Sequence, residues 1–169
     1  MKPIAEFAQA VARLEGLDAE GAARRDKEYR NLTQRLPLMP ARREWRTDLF
    51  EFPTLAALRI VQIVSAMGVS RSFLGMIVNA LQDMDRSTPP QPGMQPRVID
   101  QMVERAKAGE TFNVSIELRP GGEIAVRTHE SAPVADAFFD SIGHPEPLAS
   151  IVLPAGRLIR ELHAELGDD

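Results

Sequence analysis

Apolar residues open the chain at helical spacing. Ile4, Phe7, Ala8, Val11 and Leu14 recur every three or four residues, and Gly16 follows as a stop. Asp18 is the expected cap of a second helix reaching about Thr33. That helix has sparse apolar positions (Ala22, Tyr29 and Leu32), and Gly21 costs it roughly 1 kcal/mol relative to alanine. Leu36 to Arg46 cannot continue it past Pro37 and reads as an extended or short hairpin segment. Pro53 suits the first turn of a third helix running to Met67, whose apolar residues wrap nearly around it, as in a buried helix. Gly68-Val69-Ser70 is a turn and cap, and a fourth helix follows with Phe73, Leu74, Ile77, Val78 and Leu81 inside.

Residues 87–97 hold four prolines and a glycine, which no helix or central strand survives, and the periodicity changes across them. Beyond them, Ile99, Met102, Val103 and Ala106 mark a short helix ended by Gly109. Phe112, Val114, Ile116 and Leu118 then alternate with polar residues, Arg119-Pro120-Gly121-Gly122 turns, and Ile124 and Val126 return, which predicts a β-hairpin. Val134 to Phe139 is read as a helical turn and Ser150 to Leu153 as a strand. Leu158, Ile159, Leu162 and Leu166 give a last helix that is the natural cover for the hairpin. The expected organisation is a helical domain over residues 1–86, a linker over 87–97 and a small α+β domain over 98–169.

Charge divides along the same line. Residues 1–86 hold 13 Lys and Arg against 11 Asp and Glu, whereas residues 87–169 hold 7 against 13. Eight cations against three acids fall within residues 24–46 alone, in a chain of net charge −4. A basic patch on a mildly acidic protein points to a local anionic partner. Seventeen of the twenty cations are arginine, the residue that contacts phosphate and guanine in bidentate fashion. Arginine-favouring codons of a high-GC genome explain most of that bias.

Other chemistry is sparse. The absence of cysteine excludes disulfides and thiolate metal sites and fits a reducing compartment, so a cytoplasmic location is expected. The longest apolar run, Ile60 to Met67, is broken by Gln62 and does not span a membrane. Residues 1–15 carry Glu6 and no clean apolar block, unlike a secretory signal. His129, His144 and His163 share no ligand spacing. His129 is read as half of an exposed ion pair with Glu130, His144 as a loop residue and His163 as a core-edge residue. No phosphate loop, Gly-x-Ser-x-Gly or His-Glu-x-x-His motif occurs, so the expectation is a non-enzymatic protein without cofactor or metal.

Helix, turn, basic helix, Pro- and Arg-rich extended segment and buried helical pair follow one another over residues 3–84. This order resembles the MerR-type winged helix-turn-helix family. The matching segments are Ile4 to Leu14, Gly16-Leu17-Asp18, Arg24 to Arg30, and Leu36 to Pro40 with Arg43, Trp45 and Arg46 as the wing. Asp48-Leu49, Leu55 to Ile60 and Gly68-Val69-Ser70 continue the match. The resemblance implies a mainly α N-terminal winged helix-turn-helix domain joined to a small α+β domain with a β-hairpin. It implies a DNA-binding transcriptional regulator that grips duplex DNA through Arg24, Arg25, Lys27, Tyr29 and Arg30 of the second helix and Arg42, Arg43 and Arg46 of the wing. Trp45 is read as a packing residue anchoring the wing. The chain departs from the family in lacking the metal-sensing cysteines, and its proline run ends the helix that would form the family's dimerising coiled coil.

Other readings stand beside this one. Residues 60–81 also fit a helix-turn-helix, which would present Ser70, Arg71, Ser72, Gly75 and Asn79, but that face has a single cation. The arginines are alternatively a solvated face balanced by the acidic half. A protein-interaction adaptor and a phage-type DNA-recognition protein are the alternative functions. The acidic C-terminal half offers a surface for a protein partner, and a free strand edge there offers a route to a homodimer.

Overall fold

A computed structural model describes residues 1–83, 96–130 and 147–167. Lys2–Pro3 (β1) leads directly into Ile4–Leu14 (α1), whose Phe7, Ala8 and Val11 are fully buried, as their spacing requires. Gly16 takes the left-handed backbone that ends α1. Ala19–Arg35 (α2) starts where Asp18 Oδ1 accepts the Gly21 amide at 2.9 Å. The turn between the two helices is tight enough that a Cβ on Gly21 would lie 2.8 Å from Leu17 Cβ, so this glycine's missing side chain is what lets α2 approach.

Arg42–Glu44 (β2) and Thr47–Phe50 (β3) form a hairpin, and β1 joins its other side to give the antiparallel order β1-β3-β2. Phe52–Ala66 (α3) and Arg71–Gln82 (α4) follow. Thus α1, α2, the hairpin and α3 with α4 come in the expected order. The two-residue β1 has no sequence signal of its own, because only its partner β3 makes it a strand.

Val98–Lys107 (α5), Phe112–Leu118 (β4), Ile124–Glu130 (β5), Ala149–Leu153 (β6) and Ala155–Leu166 (α6) complete the described chain. Central β4 pairs antiparallel with β5 and β6, with Ile116 opposite both Val126 and Ile151. The fold class is α+β: six helices and two three-stranded antiparallel sheets among the described residues.

Phe112, Val114 and Ile116 turn inward beneath α5 and α6. The covering helix comes close, since a Cβ on Gly156 would lie 3.0 Å from Glu110 O and from Phe112 N. One hydrophobic core joins Phe7, Leu58 and Ile77 of the first half to Met102, Ile116 and Ile159 of the second. Arg13 of α1 is paired with Glu165 of α6, and the Phe52 and His163 rings meet edge-on at 5.1 Å. Residues 87–95 of the expected linker, the turn expected over Val134 to Phe139, and His144 lie outside the described residues.

A cationic helix face and hairpin as candidate nucleic-acid interface

The buried side of α2 is narrow. Gly21 and Tyr29 are its fully covered residues, so most of its circumference faces solvent. Arg24, Lys27, Asn31 and Arg35 fall at helical positions i, i+3, i+7 and i+11 and share one exposed stripe. Arg24, Lys27, Asn31 and Arg35 line an open surface groove of about 340 Å³ together with Glu28 and Leu32 of the same helix and Ser65 from the end of α3. Arg30 is exposed beside this stripe and bonds Asp26 at 2.8 Å. Arg24 meets Glu20 at 3.4 Å, a highly exposed pair of little energetic weight. Lys27 and the Arg35 side chain have no ion-pair partner among the described residues. Asn31 and Arg35 were not among the expected contact residues, although the i, i+3, i+7, i+11 spacing counted from Arg24 marks them.

Two expected contact residues point elsewhere. Tyr29 is buried against Phe7, with ring centroids 4.6 Å apart, so it cannot face DNA. Burial pushes its hydroxyl up to about 12, while the nearby Arg59 charge pulls it partly back. Arg25 is turned inward and forms part of a ring of polar contacts. Its Nε donates to Glu15 Oε2 at 2.7 Å and its Nη1 to Glu28 Oε2 at 2.6 Å. Arg59 of α3 donates to Glu15 Oε1 at 2.8 Å and to Gln62 Oε1 at 2.7 Å, and Gln62 Nε2 closes the ring on Glu28 at 3.2 Å. Burial raises the Glu15 pKa, but hydrogen bonds and charge from Arg25 and Arg59 outweigh it and hold the carboxyl below its ordinary value. The ring ties α1, α2 and α3 together and sets the angle at which α2 presents its outer face.

The hairpin carries the second group of cations. Arg43 sits opposite Asp48 across the strands at 3.6 Å, and Arg42 meets Glu44 at 3.2 Å, both pairs well exposed. Arg46 has no ion-pair partner among the described residues. Trp45 and Arg46 form the two-residue turn, and Trp45 is 96% exposed. The expectation that Trp45 anchors the hairpin to the core is therefore corrected. The core is reached by Leu38 and Phe50, at the base of the hairpin rather than its tip.

In the alternative face at residues 60–81, Ser70, Arg71, Ser72 and Asn79 are exposed, and two of them also hold local structure. Ser70 Oγ caps α4 through the Phe73 amide at 3.3 Å and lies 3.0 Å from Ser72 Oγ. Arg71 donates through Nε and Nη2 to the Arg35 carbonyl, at 3.3 and 2.9 Å, so it closes the C-terminal end of α2. No group of metal-ligating side chains occurs among the described residues.

His129 is not the exposed partner of Glu130. Its Nε2 lies 2.6 Å from Ser115 Oγ on the neighbouring strand. Ser115 also bonds Glu117 Oε1 at 3.3 Å, and the other Glu117 oxygen faces Arg119 and Arg127 at 3.4 and 3.5 Å. The carboxylate thus orients the hydroxyl and not the imidazole, the reverse of a Ser-His-acid relay, and Ser115 is buried. No helix among the described residues is long and apolar enough to cross a membrane. Comparison with known protein families, characterised proteins and solved structures gives no match.

Proposed function

We propose that the protein is a non-enzymatic DNA-binding regulator that grips duplex DNA through the outer face of α2 and the β2–β3 hairpin. The observation that carries this reading is the exposed stripe of Arg24, Lys27, Asn31 and Arg35, in which Arg24 meets Glu20 at a loose 3.4 Å and Lys27 and Arg35 have no ion-pair partner among the described residues. A helix with long cations and an amide on one face has the reach for phosphates and base edges. Asn31 is the side chain on that stripe suited to an adenine edge, and Arg24 or Arg35 to guanine.

The order of helix, helix, hairpin and helical pair supports the likeness to the MerR-type winged helix-turn-helix over residues 1–83. On this reading α2 is the recognition helix, and Arg42, Arg43 and Arg46 hold the flanking backbone. Tyr29 and Arg25 act from beneath, by fixing α2. Transcriptional control in the cytoplasm is the use that fits a stoichiometric binder of this kind, and phage-type DNA recognition makes the same physical demands.

A gel shift on random-sequence duplex tests it. The wild-type protein is expected to retard the duplex at low salt, and Arg24→Ala with Lys27→Ala to weaken retention by an order of magnitude or more. Equal behaviour of the two proteins would favour an adaptor that uses its helices to bind protein.

A further inference from the structure

Resting on the nucleic-acid reading above, we infer that Trp45 is a base-stacking probe at the hairpin tip, which selects duplex DNA carrying an unpaired or unstacked base. Three observations converge on it. Trp45 is the sole tryptophan of the chain, and it is 96% exposed, more than any other large apolar side chain described. Among the described residues the ring serves no packing role, since the hairpin is held by strand pairing and by Leu38 and Phe50 below.

The backbone pays a conformational penalty to hold the ring there. Trp45 has φ +57°, the one positive φ at a non-glycine residue among those described, at the first turn position that glycine favours in two-residue hairpins. Such an outlier points from strain to use.

The surroundings name the partner. Arg42 and Arg43 lie on the strand that leads into the turn and Arg46 follows Trp45 within it, the first two meeting acids in exposed pairs and Arg46 having no ion-pair partner among the described residues. A flat π surface at the tip of an arginine-bearing hairpin matches a nucleobase beside its phosphates, and stacking of this kind tolerates any base. A paired base inside the helix offers no free face. An unpaired one does, at little unstacking cost.

Since the chain has a single tryptophan, its fluorescence reports on the proposed contact directly. The full-length protein is titrated with a fully paired duplex, with the same duplex carrying one unpaired base, and with vesicles of phosphatidylserine. Binding is read in parallel by anisotropy of labelled DNA. The wild type is expected to prefer the duplex with the unpaired base, and its tryptophan to be quenched and shielded from acrylamide in that complex. W45A, checked for folding by circular dichroism, is expected to bind that duplex about 5- to 150-fold more weakly and to lose the preference. W45F is expected to restore part of it.

Equal affinity of the wild type for both duplexes, or an unaltered tryptophan signal in a complex that does form, overturns this inference and leaves the DNA-binding reading standing. Failure to bind either duplex overturns both. Quenching by the vesicles without quenching by DNA overturns the base-stacking role in favour of a lipid surface.

Discussion

Replacing Arg59 by methionine keeps the aliphatic stem and deletes the guanidinium that closes the polar ring between α1, α2 and α3. It removes two short hydrogen bonds and leaves Glu15 Oε1 and Gln62 Oε1 without their donor. Breaking a fully buried pair by removing one partner costs about 3–5 kcal/mol, and an exposed pair is worth about 0–1. The side chains here are 13% exposed for Arg59, 21% for Glu15 and 26% for Arg25, so water screens the ring in part. The loss should be about 2 kcal/mol, which for a chain of this size lowers Tm by roughly 4–8 °C.

The pH dependence gives an independent sign. Glu15 is held below its ordinary value near 4.5, so its carboxylate contributes stability above that value. The contribution fades as pH falls through the depressed folded value. Urea unfolding followed by circular dichroism should therefore show a wild-type advantage that is constant near neutrality and narrows as pH falls below the ordinary carboxylate range. A neutral-pH gap under about 0.5 kcal/mol, or one that ignores pH, would refute the ring as the holder of α2.

Two further substitutions test other joints. G156A places a methyl group 3.0 Å from the backbone oxygen of Glu110 and the backbone nitrogen of Phe112, neither of which can swing away, so it should lower stability by about 1–3 kcal/mol in the same urea assay. W45G relieves the positive φ and should raise stability by about 1 kcal/mol while weakening binding to the duplex with an unpaired base, which separates folding from recognition.

Much of the architecture was legible because it is locally encoded. The apolar stripe of α1, the Asp18 cap and the alternation from Phe112 to Leu118 each state their element within a few residues. The site was legible only as a density of cations. Which of them face outward is decided by partners distant in sequence: Arg25 turns inward because Glu15 and Arg59 await it, and Tyr29 because Phe7 does. Ser115 likewise claims His129 across a strand pair, where sequence adjacency pointed to Glu130. Trp45 was misplaced for the converse reason. A tryptophan ordinarily packs, and only the tight turn between Glu44 and Thr47 reveals that it has nothing to pack on.

The salt dependence of duplex binding by fluorescence anisotropy tests the account most directly. Arg24, Lys27, Arg35 and Arg46 are the cations most free to replace counterions, so the logarithm of the association constant should fall against that of salt with a slope of about −3 to −4. R24A with K27A should flatten it by about two units. A slope near zero, or one that the double variant leaves unchanged, would contradict the claim that the outer face of α2 grips the phosphate backbone.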